Sequence, residues 1–429
     1  MLWRASATLK RFTMVNKKLR INAEKIYTAA IREALPDRAV ERALGDLPKN
    51  DGRLVLVAIG KAAWQMANAA SRLLGERITE GIVITKYDHS QGEIPNVEIY
   101  EAAHPVPDEN GLRATERALE LTSGLSAKDI VLFLVSGGGS ALFEAVDCTL
   151  DELRGLTSAL LSSGASISEI NTVRKHLSNV KGGRFAAHCA PASVYAIVLS
   201  DVIGNRLDMI ASGPTAPDGT TVTDVEGIIR KYNLQPSDRV KALLKRETPK
   251  TITNATHLVS GSVSELCASA KRAAESLGYE SIVLTDSLTS EASETGKFLG
   301  AVARYYSDKN EKTAIIAGGE TVVHIRGGGK GGRNQEIALS ASIEISGLKN
   351  VCVFSVGSDG TDGPTDAAGG YADGDTAELI LASGRSAESY LSDNDSYMAL
   401  ALSDGLIFTG ATGTNVNDIS VILIEKTEN

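Results

Sequence analysis

Along the chain the apolar residues gather into short solid runs and do not alternate with polar ones. Residues 54–59 (LVLVAI), 81–85, 130–135 (IVLFLV) and 194–199 are rich in leucine and β-branched side chains. A strand that is apolar on both faces suits a parallel sheet covered by helices. Between these runs, helix-like patterns at 21–34, 61–74, 112–121 and 153–162 give the order βαβ, which predicts a doubly wound α/β domain. The theme returns at 256–259, 281–284, 314–316, 351–355 and 406–408 and predicts a second α/β domain, again with a largely parallel, Rossmann-like sheet. A polar stretch with a proline, 245–254 (KRETPKTITN), interrupts the pattern and marks the expected junction, giving domains 14–250 and 251–429.

Composition narrows the classes. With 429 residues the chain is long enough for two domains, and 43% apolar against 23% charged residues supports a large core under a polar surface. A net charge of −9 argues against a protein that coats nucleic acid or anionic membrane through a general positive field. The four cysteines are far apart, so they form no clustered metal pattern and read as buried thiols in a reducing compartment. No run of eighteen apolar residues and no secretory signal is present, so a cytoplasmic protein is expected. Residues 1–13 carry basic and no acidic side chains and are expected to be an extension outside the fold.

Glycine, 41 residues, is the informative count, because these residues cluster just after the apolar runs. In open α/β sheets ligands bind beyond the carboxyl ends of the strands, so these loops are the candidate site. In VAIGKAAWQM (57–66), Lys61 follows the strand and either brings a point charge to phosphate or is a solvated lysine. In VSGGGSAL (135–142), Gly137, Gly138 and Gly139 leave backbone amides free for an anion, with hydroxyls from Ser136 and Ser140; the alternative is a ligand-free turn. In IRGGGKGGRNQE (325–336), weak matches to G-x-G-x-x-G and to a phosphate-binding loop place Lys330, Arg333 and Asn334 on a glycine frame that suits phosphate or carboxylate. The segment 357–375 carries Asp359 and Asp362 among glycines, either as oxygen ligands for Mg²⁺ or as solvated turns. Asp201, after the run at 194–199, can orient a hydroxyl or a metal, or simply cap a turn. His104 reads as a structural hydrogen-bonding group.

Taken in order, VSGGGSAL, SDVIGNRLDMIASGPT, GGETVV, GGRNQE, GSDGTDGPTDAAG and TGTNVNDI closely resemble the type II glycerate kinases, whose C-terminal part is called the MOFRL domain. The resemblance runs from about residue 20 onward. It departs from the common pattern at Asn205 and Arg206, where two aspartates are frequent, and at Ala411, where proline is usual. It implies ATP-dependent phosphorylation of D-glycerate in a cleft between two α/β domains; Mg²⁺ near an aspartate is expected beside the ATP, an Arg333 grip on the carboxylate would favour the 2-hydroxyl, and a monomer or homodimer with no nucleic-acid or membrane partner is expected. By motif it assigns Lys61 and Arg333 as essential and Asp201 and 136–139 as lining the cleft. Lys61 and the 136–140 loop would then hold the transferred phosphate, and Arg333 the glycerate carboxylate or the transition-state charge. Asp201 would orient the attacking hydroxyl, with Asp359 or Glu320 as alternatives. The competing readings are a 3-kinase, an oxidoreductase acting on hydroxypyruvate, and a non-catalytic sugar-acid binder.

Overall fold

The computed structural model describes residues 14–309 and 311–426; the expected extension 1–13 lies outside the described residues. The chain forms two compact units, one of residues 36–261 and one that joins the N-terminal helix to residues 262 onward. Helix α1 (Met14–Glu33) thus belongs with the C-terminal half.

The unit of residues 36–261 begins with α2 (Pro36–Leu44), β1 (Leu54–Ile59), α3 (Ala63–Leu74), β2 (Glu80–Lys86), β3 (Val97–Ala102), α4 (Glu109–Leu121) and β4 (Ile130–Val135). It continues through α5 (Gly139–Leu142), α6 (Leu150–Ser162), α7 (Ile167–Leu177), α8 (Arg184–Cys189), β5 (Ser193–Leu199), α9 (Val222–Lys231), α10 (Asp238–Leu244) and β6 (Ala255–Gly261). All six strands are parallel, in the order β3-β2-β1-β4-β5-β6. As the solid apolar runs require, β1 and β4 are buried along their whole length. Helix starts are fixed locally by reciprocal capping pairs, Thr149 with Glu152, Ser166 with Glu169 and Thr221 with Asp224. Three rings, Phe133, Phe143 and Phe185, pack with centroids 4.9 to 5.8 Å apart. Phe133 lies in β4 and Phe143 just past α5, so this cluster anchors both ends of the glycine loop between them.

The second unit comprises α1, α11 (Val263–Ser276), β7 (Glu280–Leu288), α12 (Ala292–Ser307), β8 (Thr313–Gly319), α13 (Arg333–Glu344), β9 (Val351–Gly357) and β10 (Gly369–Asp373). It ends with α14 (Thr376–Leu381), α15 (Ala387–Ser392), α16 (Ser396–Leu402), β11 (Leu406–Ile407) and β12 (Asp418–Ile424). Its sheet runs β11-β10-β9-β12-β8-β7 and is mixed, contrary to the largely parallel arrangement expected. Only β7 and β8 pair in parallel, while β12 inserts antiparallel between β8 and β9, and β10 and β11 add antiparallel pairs. A solid apolar run reveals burial on both faces; it carries no information on the direction in which a strand enters the sheet.

The division also differs from the junction expected at 245–254. The run at 256–259 is β6 and pairs with β5 in the first sheet. Asn254 ties the polar stretch to the same unit, its Nδ2 donating to the carbonyls of Ala186 and Ala192 at 2.9 Å each. Among the described residues no helix is long and apolar enough to cross a membrane.

Helix α1 is fastened to its unit by a buried polar cluster. The Tyr279 hydroxyl donates to Glu425 Oε1 at 2.6 Å and accepts from Asn22 Nδ2 at 2.8 Å, while Lys18 pairs with Glu425 at 3.0 Å. Replacing Tyr279 with Phe removes both hydroxyl bonds and leaves buried partners short of one each, so unfolding in urea should show a loss of about 1–3 kcal/mol. An unchanged midpoint would mean that the cluster does not hold α1.

Candidate functional site

In the first sheet the strand order reverses between β1 and β4, whose last residues, Ile59 and Val135, stand side by side. A crevice opens at such a reversal, and the loops leaving these two strands border it. They are the loops that carry Lys61 and residues 136–140. Ser136 joins them: its Oγ accepts from the Ala62 amide at 3.1 Å and donates to the Ile59 carbonyl at 3.2 Å. The Lys61 amide donates to the Gly137 carbonyl at 2.9 Å. Ser136, expected to face a ligand, is therefore a buried clasp between loops.

The amides of Gly137, Gly138, Gly139 and Ser140 donate to no group among the described residues. Two of these glycines lie close against groups from elsewhere in the chain. A Cβ on Gly137 would stand 2.7 Å from Asp201 Oδ2; one on Gly138, where φ is +88°, would stand 3.1 Å from the His104 ring and 3.3 Å from Lys61 Cγ. Lys61, the glycine loop, Asp201 and His104 are thus brought together. The Lys61 side chain is exposed and its ammonium has no partner among the described residues. Burial, reinforced by Lys61 and Lys86, holds the His104 pKa below its usual value, so the ring is neutral near pH 7. His104 was legible only as a structural group, because nothing local in AAHPVP signals contact with a loop more than thirty positions away.

The far side of the loop is bounded by strained backbone. Ala211 and Ser212 adopt left-handed φ values of 49° and 60°, a conformation uncommon outside glycine and concentrated at functional sites. Ser212 Oγ shares a 3.0 Å hydrogen bond with Ser140 Oγ and donates to Asn171 Oδ1 of α7 at 3.1 Å. A Cβ on Gly139 would stand 2.8 Å from Ala211 Cβ.

In the second unit Arg333 opens α13, and Asp418 opens β12. Arg333 Nε and Nη2 donate to the two oxygens of Asp418 at 2.5 and 3.1 Å, and Nη1 donates to Glu320 at 2.9 Å. Burial works against the guanidinium charge, but Asp418 outweighs it and raises the pKa. Three of its five N–H donors are taken, so its orientation is fixed and its charge is matched by two carboxylates. Asn417 Nδ2 donates to the other Glu320 oxygen at 3.1 Å.

Three other expected residues have different tasks. The glycine frame at 327–330 is not an open cradle: amides 326 and 327 donate to Asn394 Oδ1, 328 to Asp393 Oδ1, 329 to the Asp393 carbonyl and 330 to Asp395 Oδ1. Lys330 itself lies over the Tyr397 ring at 4.5 Å. Asn334 is buried, with its Oδ1 accepting from Ser355 and its Nδ2 donating to Asp362. Asp362, expected as a metal ligand, is also buried and caps α13, its two oxygens accepting from the amides of Asn334 and Gln335 at 3.1 and 2.8 Å. Burial pushes its pKa up to about 7 against the pull of those amides. Asp359 remains partly exposed and accepts from the Thr361 amide at 3.0 Å. Among the described residues no three His, Cys, Asp or Glu side chains are grouped to hold a metal ion.

These observations define a doubly wound α/β protein whose glycine loop, at the sheet's reversal point, presents four amides with no acceptor among the described residues. Comparison with known proteins carries this further. Residues 22–245 match the model described as Domain of unknown function (DUF4147), and residues 313–418 match the MOFRL family. The D-glycerate 2-kinase of Thermotoga maritima is 51% identical over 95% of this chain and 98% of its own length. The glycerate 2-kinase of Pyrococcus horikoshii is 38% identical over 96% of this chain and 98% of its own. The crystal structure of the glycerate kinase from Thermotoga maritima superposes with a TM-score of 0.92, covering 95% of this chain and all of that one at 51% identity. The chain belongs to the type II glycerate kinase family.

Two outcomes follow from the site geometry. Gly137→Ala should leave the melting temperature within about 2 °C, because the neighbour it meets is a side chain that can swing away, yet lower kcat by roughly 10²-fold by displacing Asp201. Normal turnover would show that the contact between Gly137 and Asp201 is unimportant. For Asp362, the folded-state pKa lies above the unfolded one, so the native state binds more protons between about pH 4 and 7 and loses stability as pH rises through that window. The melting temperature of the wild type minus that of Asp362→Asn should therefore shrink from pH 5 to pH 8; a constant difference would refute the raised pKa.

Proposed function

We propose that this chain transfers the γ-phosphoryl group of ATP to the 2-hydroxyl of D-glycerate, giving 2-phosphoglycerate and ADP. The observation that carries this reading is the run of four unengaged amides at 137–140 beside the unpaired Lys61 ammonium. Such a cradle fits an anion whose charge is spread over several oxygens. Phosphoryl transfer asks the protein chiefly for positioning and charge neutralisation, which amides and cations supply.

In this reading Lys61 and the loop hold the migrating phosphoryl group. The substrate hydroxyl oxygen bonds to phosphorus as the bond from phosphorus to the β–γ bridging oxygen breaks, ADP leaves, and the hydroxyl proton passes to Asp201 and then to water. Arg333, its orientation set by Asp418 and Glu320, keeps the essential role that its motif assigns. Mg²⁺ would shield the β- and γ-phosphate charges. An ion carried in on phosphate oxygens needs only one or two protein carboxylates, and Asp359, being partly exposed, suits this where the buried Asp362 does not. A hydride-transfer reading would place a dinucleotide at the same reversal point. There the β1 turn has Ala62 and Gln65 where G-x-G-x-x-G requires its second and third glycines. The four buried, unbridged cysteines fit a reducing compartment, and we place the enzyme in the cytoplasm as a monomer or homodimer.

Phosphorus NMR of a reaction with Mg-ATP and D-glycerate should show ADP and 2-phosphoglycerate in equal amounts. No turnover of ATP, or reduction of hydroxypyruvate by NAD(P)H in its place, would overturn the reading; a 3-phosphoglycerate signal would overturn the regiochemistry. Lys61→Ala should lower kcat by about 10²–10³-fold with little change in melting temperature.

A further inference from the structure

Arg174 differs from Arg333 in having no partner for its side chain among the described residues. It lies on α7, one turn after Asn171, the residue that closes the relay from Ser140 through Ser212. Residues three apart share a helix face, so Arg174 stands on the face of α7 that carries Asn171, and Glu144, four residues after Ser140, is the charge that acts on its guanidinium. The side chain is partly buried, and it makes no hydrogen bond or ion pair among the described residues. Burial holds its pKa below the usual value, with Glu144 the one charge drawing it the other way.

Glu144 cannot serve as its partner. That carboxylate is itself buried and already accepts from Ser178 Oγ at 2.5 Å, from Lys181 Nζ at 2.8 Å and from the Ala145 amide at 3.1 Å. The adjacent cation on α7, Lys175, is also spent, between Asp208 at 3.4 Å and Asp218 at 3.3 Å. Arg333, expected to meet the substrate carboxylate or the transition-state charge, is matched by Asp418 and Glu320. A partly buried guanidinium left unpaired costs free energy unless an anion completes it, and its planar fork accepts a carboxylate through two parallel bonds.

We propose that Arg174 is the anchor for the carboxylate of the acceptor substrate, and so the residue that selects a 2-hydroxy acid over a neutral polyol. This rests on the kinase reading for the identity of the acid. Carboxylate and phosphoryl group then occupy opposite ends of one loop: Lys61 and Gly138 at one, Ser140 and Arg174 at the other. The 2-hydroxyl, one carbon from the carboxylate, is held next to the amides.

Arg174→Gln and Arg174→Lys test this by two readouts. In steady-state kinetics, Arg174→Gln should raise KM for D-glycerate by roughly 10- to 150-fold, the worth of a charged hydrogen bond, and change KM for ATP less than about threefold. Arg174→Lys, which keeps the charge and loses the fork, should fall between. In thermal-shift titrations without nucleotide, D-glycerate should stabilise the wild type and fail to stabilise Arg174→Gln, whereas Mg-ATP should stabilise both. An unchanged KM for D-glycerate in folded Arg174→Gln, an equal rise for both substrates, or failure of both variants to fold would each overturn the proposal. The titration keeps the two readings apart. A wild type that binds D-glycerate through Arg174 without phosphorylating it defeats only the kinase reading, and one that phosphorylates it with full affinity in Arg174→Gln defeats only the anchor.

Discussion

The parallel pairing of β1 with β4 at the centre of the first sheet is the constraint on which the site depends. Because strand order reverses there, the chain leaves the two strands toward opposite sides, and the loops that follow must run beside each other. Ser136 and the Lys61 amide convert that proximity into a fixed geometry, and the phenylalanines beneath hold both ends of 136–142. With its own carbonyls and hydroxyl occupied in this way, the loop is left with a surplus of donors. Unengaged amides of this kind are the feature on which the proposed anion binding rests.

The second unit handles charge differently. Arg333, Asp418 and Glu320 form a network in which every member is paired, and Asp362 neutralises the start of α13 from inside the core. Such arrangements set orientation at the expense of availability. The cations therefore differ in availability: Lys61 and Arg174 have no side-chain partner among the described residues, whereas Arg333 is held by two carboxylates.

The glycine-rich segments illustrate the same distinction. Two loops that look alike in sequence, 137–139 and 327–332, differ in who fills their hydrogen bonds. The amides of the first meet no acceptor among the described residues; those of the second donate to Asp393, Asn394 and Asp395, residues more than sixty positions away. Glycine there permits the close approach of the 393–396 turn, as a Cβ on Gly327, Gly329 or Gly331 would meet it at 2.4 Å or less.

Sequence alone determined what depends on local pattern. The solid apolar runs identified the buried strands β1, β2, β4 and β5 and the α/β class, and the motifs identified the family. It could not determine strand direction in the second sheet, where β12 enters antiparallel, or the membership of α1 and β6, since these follow from pairing partners far away in the chain. Nor could it separate Asp359 from Asp362, or Ser136 from Ser140, because burial and hydrogen-bond partners, not residue type, decide whether a polar group faces a ligand or the core. His104 was legible only as a structural group for the same reason: its ring meets the glycine loop only when the fold lays that distant segment against it.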